Sequence, residues 1–118
     1  MNKPYKIAVI DYRMSNMFSI KNALTVLGLD VEVTSDYSTI LSSDGAILPG
    51  VGSFPVAMKN IKELYLDDAI KDFISSGKPF AGICLGFQLL FDKSDEFKET
   101  FGLGILPGEV KNFSALND

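Results

Sequence analysis

The chain has 118 residues, 47% of them apolar and 22% charged, which suits one compact domain with a real core and leaves no room for two. Asp and Glu number 15 against 11 Lys and Arg, so the net charge of -4 repels a nucleic-acid backbone. One cysteine and no histidine exclude an intramolecular disulfide, a zinc finger, a His-ligated metal and a catalytic imidazole from within these residues. In chain order, Lys6 to Asp11 is a short apolar run, the pattern of a strand buried on both faces of a parallel sheet. Met17, Ile20, Ala23, Leu24 and Leu27 then recur at helical spacing, and Gly28 stops the helix. Val31 to Thr34 is a second strand, Ser35 to Ser43 a polar, turn-like stretch anchored by Ile40 and Leu41, and Gly45 to Leu48 a third strand. Met58, Ile61, Leu64, Ala69, Ile70, Phe73 and Ile74 suit helical segments bent near Tyr65 and closed by Gly77. Pro79 to Ile83 is a fourth strand, Gly86 to Phe91 a further helix, and two short strands follow around Leu103 to Leu106 and Glu109 to Phe113.

The β-α-β-β-α-β-α order with short connections argues an α/β fold, a mostly parallel sheet with helices on both faces. Ligands in such folds gather at the carboxyl ends of the strands, here Asp11 to Asn16, Pro49 to Ser53 and Cys84 to Gly86. The longest mainly apolar run, Phe80 to Phe91, falls short of the roughly 20 residues of a membrane span. The run Ile7 to Ile10 is too short for the core of a signal peptide, so the chain reads as cytoplasmic.

Chemistry concentrates at Gly82-Ile83-Cys84-Leu85-Gly86, a nucleophile elbow with sulfur in place of oxygen. A sharp strand-to-helix turn needs a small residue two positions before and two after the nucleophile, and glycines stand there. The positive end of the helix and its free N–H groups would favour the thiolate, the form that attacks a carbonyl. The plainer alternative is a buried cysteine acting as a small hydrophobe. Gly50, Val51 and Gly52 follow the third strand, where two glycines let main-chain N–H groups turn toward a ligand oxygen; with the N–H of Leu85 they would form an oxyanion hole. An ordinary glycine-rich turn accounts for the same residues. A cysteine nucleophile also needs a general base, normally His, and this sequence has none.

The elbow, Ile10-Asp11-Tyr12, Leu48-Pro49-Gly50-Val51-Gly52, Gly77-Lys78-Pro79-Phe80, the run from Gly82 to Phe91, and Gly102-Leu103-Gly104 together resemble the class I, triad-type glutamine amidotransferases. Within that family the nearest likeness is to the glutaminase subunits of imidazole glycerol phosphate synthases, enzymes of histidine biosynthesis. The resemblance implies a flavodoxin-like sheet and a Cys84 that attacks the side-chain amide of glutamine. It further implies an oxyanion held by N–H groups around Val51 and Leu85, a Gln88 that positions substrate, and ammonia passed to a cyclase subunit in a heterodimer. No cofactor or metal is implied. Tyr12, Arg13, Met14 and Asn16 would lie near that partner. The family's His and Glu lie beyond Phe113, so residues 1–118 are expected to be the N-terminal portion of a single amidotransferase domain, inactive alone. Arg13 and Ser15 stand where the family usually has Gly, which keeps open a paralogue that feeds ammonia to a surface-sugar amidation enzyme. A phosphorelay receiver would need Asp where Leu48 ends the third strand, and a chaperone- or protease-like cysteine protein would need His where Leu85 stands. A non-catalytic binding or folding unit is the remaining alternative.

Overall fold

The computed structural model describes residues 5–14, 17–96 and 98–111. Four parallel strands, β1 (Lys6–Ile10), β2 (Asp30–Thr34), β3 (Gly45–Leu48) and β4 (Phe80–Gly82), form a sheet in the order β2-β1-β3-β4. Val9 pairs with both Val33 and Ile47, and Ile47 in turn with Ala81. β1 is flanked on both sides, and residues 7–10 are buried, as a strand with few polar positions requires.

Helix α1 (Met17–Val26) packs on β1 and β2 through Met17, Ile20 and Leu24. Ala23 and Leu27 point outward, because α1 covers only that half of the sheet and Leu27 already lies in the turn that Gly28 closes at φ +86. The order in which strands are added reverses after β2, with β3 on the other side of β1, so right-handed crossovers send the next helices to the opposite face. These are α2 (Tyr37–Ser42), α3 (Phe54–Glu63) and α4 (Leu66–Ser75). Phe54, Ile61, Leu66, Ile70 and Phe73 fill the core between them and the sheet.

α2 replaces the turn expected from Ser35 to Ser43. The Asp36 carboxylate accepts the Thr39 N–H at 2.9 Å and caps it, while Ile40 is buried against the core. Lys78 secures the other end, its Nζ donating to the carbonyls of Leu41 at 2.6 Å and Ser43 at 2.9 Å. The expected bend near Tyr65 is a full break, with Tyr65 at φ 56 between α3 and α4.

The expected strand at Leu103 to Leu106 is instead a loop. Its N–H groups are taken by the carbonyls of Leu89, Phe91 and Leu90, which closes the end of α5 (Leu85–Gln88) rather than building a ladder. A separate three-stranded sheet joins β5 (Lys93–Ser94), β6 (Thr100–Phe101) and β7 (Glu109–Val110) in the order β6-β5-β7. Of the expected final strand, Glu109 and Val110 are in the ladder, Lys111 is not, and residues 112 and 113 lie outside the described residues. No helix among the described residues is long and apolar enough to cross a membrane.

Candidate active site

Three neighbouring parallel strands deliver three loops to one edge of the sheet: 11–14 after β1, 49–53 after β3, and 83–84 after β4. The loops interlock. Ile83 donates its N–H to the Leu48 carbonyl at 3.0 Å, Leu85 donates to the Gly50 carbonyl at 3.2 Å, and the Tyr12 hydroxyl donates to the Pro49 carbonyl.

Cys84 is exposed at the centre of this arrangement. Its backbone lies at φ 54, ψ -121, a region in which a side-chain-bearing residue is strained by about 1–3 kcal/mol. The flanking glycines have specific steric reasons. A Cβ on Gly82 would lie 2.8 Å from the Cα of Phe87, and one on Gly86 would collide with the Leu48 carbonyl. Strand and helix approach too closely for any side chain at either position, which is the geometry that thrusts residue 84 outward.

Helix α5 is shorter than the sequence suggests, a single turn from Leu85 to Gln88. The expectation of free N–H groups beside the sulfur is also corrected: the Leu85 N–H is used by Gly50, and the Gly86 N–H by the Ile83 carbonyl at 2.9 Å. Gln88 is half-buried one turn after Cys84, its N–H on the Cys84 carbonyl at 3.2 Å.

In the second loop, Gly50 is buried, Val51 is 62% exposed, and Gly52 adopts φ +113. Positive φ at residue 52 is what glycine permits at little cost, and it turns the chain into α3. The Ser53 side chain caps that helix by accepting the Val56 N–H at 3.2 Å. Gly50, Val51, Gly52 and Leu85 are thus brought together, with the Leu85 donor turned onto the loop and not toward the sulfur.

Tyr12 is fully buried, and burial raises its phenol pKa well above the ordinary value. Its side chain packs over Pro49 and Gly50, with its hydroxyl bonded within the chain. Arg13 is exposed at φ 68, its N–H on the Asp11 carboxylate at 3.0 Å and its guanidinium 3.2 Å from the Glu63 carboxylate. Half-buried Met14 reaches toward Gly52, where an added Cβ would lie 2.9 Å from its Cε. Asn16, like Ser15, lies outside the described residues. Sequence reasoning missed the roles of Tyr12 and Lys78, since neither residue's partner is close in sequence.

A family model described as glutamine amidotransferase class-I matches residues 8–101. Among curated proteins, an imidazole glycerol phosphate synthase subunit HisH from Bacillus cereus is 52% identical over 105 residues, which is 89% of this chain and 50% of that protein. One from Lacticaseibacillus casei is 48% identical over 104 residues, 88% of this chain and 50% of that protein. The chain spans about half the length of the curated relatives it matches. A crystal structure of a glutamine amidotransferase superposes with a TM-score of 0.73 at 22% identity, covering 89% of this chain and 55% of that one, a likeness of fold.

Proposed function

The chain belongs to the class I glutamine amidotransferase family, and from that premise we propose that residues 1–118 are the N-terminal part of the glutaminase subunit of a cytoplasmic imidazole glycerol phosphate synthase. The single observation that carries the reading is Cys84, exposed and strained at a strand-to-helix elbow between two close-packed glycines. The thiolate attacks the side-chain carbonyl carbon of glutamine, and the carbonyl π electrons move onto oxygen. N–H groups of Val51 and Leu85 receive that charge, while Gln88 positions the substrate. Collapse of the tetrahedral species expels ammonia and leaves a thioester, which water hydrolyses to glutamate and free thiol. The departing nitrogen must take up a proton to leave as ammonia, and these residues hold no His to supply it.

In this reading the loop as it stands is the resting form of the site. Leu85 spends its N–H on Gly50, so the oxyanion donor is unavailable until the Gly50–Val51 peptide rotates. Ammonia then passes to a cyclase subunit in a heterodimer. Arg13, held in a conformation that favours glycine, supports a second reading, the paralogue serving a surface-sugar amidation enzyme.

The test joins residues 1–118 to the remaining half of the Bacillus cereus relative and measures glutamate release. Cys84-dependent turnover is expected, abolished by Cys84→Ala. The unextended chain is expected to turn over negligibly. Equal activity of the Cys84→Ala variant would remove the nucleophile assignment.

A further inference from the structure

The turn read as the oxyanion carrier is held from beneath. Tyr12 is fully buried directly after β1, and its hydroxyl donates to the carbonyl of Pro49, itself fully buried. The next residue fits closely around the same group. A Cβ on Gly50 would collide with the Tyr12 hydroxyl and lie 3.2 Å from both the Tyr12 Cζ and the Leu85 Cβ. Gly50 in turn holds the Leu85 N–H through its carbonyl. A continuous path thus runs from the phenol of Tyr12 through Pro49 and Gly50 to the backbone donor next to Cys84.

We propose that Tyr12 is a positioning residue for the glutaminase site: its hydroxyl fixes the Pro49 carbonyl and so sets the pivot about which the Gly50–Val51 peptide turns. The proposal rests on the reading of residues 50–52 and Leu85 as the oxyanion hole. A phenylalanine would fill the same core volume, so the hydroxyl is present for its bond. Burying an O–H is costly unless it is paired, and here it is paired to the carbonyl just before Gly50. Rotation is thereby confined to the peptides after Gly50, where Val51 is exposed and Gly52 is free of a side chain. Burial also keeps the phenol protonated, so the tether persists at any pH at which a thiolate works.

Amide hydrogen exchange by NMR on the 118-residue chain tests this with Tyr12→Phe. In the variant, the Leu85 amide is expected to exchange at least about tenfold faster, while Val9 and Ile47 in the central strands change by less than about twofold. A purely structural hydroxyl would speed all three together. Unchanged Leu85 protection, or a loss shared in proportion by Val9 and Ile47, overturns the proposal. Gly50→Ala, whose methyl runs into the hydroxyl, supplies a second route if Tyr12→Phe folds poorly. It should loosen Leu85 in the same local way, and the double variant should lose less than the product of the two single effects. Fully multiplicative effects would refute the coupling. Iodoacetamide labelling of the native, unaltered chain separates the two layers. If Cys84 labels but Leu85 ignores Tyr12→Phe, the tether fails and the nucleophile stands. If Cys84 labels only after denaturation, the nucleophile reading fails and the positioning role falls with it.

Discussion

Among the described residues, three that carry side chains have positive φ, and their environments separate strain with a use from strain without one. Arg13 is supported by the Asp11 carboxylate on its N–H and by an exposed ion pair to Glu63, the latter worth about 0–1 kcal/mol. Tyr65 has an 80% exposed side chain and serves only to break one helix from the next. Cys84 has neither excuse: its conformation exists because Gly82 and Gly86 pull strand and helix together around it. Cys84→Gly is therefore expected to stabilise the fold by about 1 kcal/mol, the relieved strain less the added freedom of the unfolded chain. Cys84→Ala keeps the Cβ and should leave stability nearly unchanged. Urea midpoints of the three forms check this, and a Cys84→Gly variant no more stable than Cys84→Ala would mean that the elbow stores no strain.

At the scale of elements, the two ends of a helix obey different legibility. The Tyr65 break follows a hydrophobic rhythm that loses phase between Leu64 and Ala69, and Tyr65→Gly should raise stability by roughly 0.5–1 kcal/mol by removing a left-handed side chain, read as a rise in melting temperature. Helix α2 was harder to see because six residues with one buried apolar position give periodicity nothing to count. Its signal was the Asp36 cap. Accepting the Thr39 N–H and hydroxyl holds the Asp36 carboxyl below its ordinary value of 3.8. A depressed folded pKa contributes stability that is fully present above 3.8 and lost as pH falls through the folded value. The stability gap between the unaltered chain and Asp36→Ala should accordingly be constant at neutral pH and close in acid; a gap that persists at the lowest pH would assign it to something other than the carboxylate. The four-stranded parallel sheet and the elbow were legible because their apolar runs and paired glycines are local in sequence. The Tyr12 tether, the Lys78 clasp on α2 and the loop at 103–106 were not, since each is decided by a partner found only after the chain has folded. Nothing local to residue 12 marks where its hydroxyl goes; the fold turns it inward to Pro49.

The whole described molecule leaves apolar surface where its sheet stops. β4 pairs only with β3 among the described residues, Ala81 is exposed, and an apolar groove lined by Ile7, Ile47, Pro79 and Ala81 runs beside it. The edge that carries Cys84 is the opposite case, with every loop tied to its neighbour and the Leu85 N–H occupied. On the proposed reading the site idles until the segment after Pro49 reorients and frees the Leu85 N–H from the Gly50 carbonyl. A chain extended with a relative's remaining half is therefore expected to show weak glutaminase activity that rises at least about tenfold when a cyclase partner with its acceptor is titrated in. Gly52→Ala should blunt that rise, since residue 52 sits at φ +113 and an added methyl would lie 2.9 Å from Met14. A matched control comes from Gly28→Ala, equally strained at φ +86 but with open space around it and far from the site, which should lower stability without touching activation. Full activity without any partner would show that the Gly50–Leu85 bond does not hold the site closed. Activation by a sugar-amidating synthase and never by the cyclase would reassign the chain to the paralogous pathway, and the departure at Arg13 would then mark the surface that made the choice.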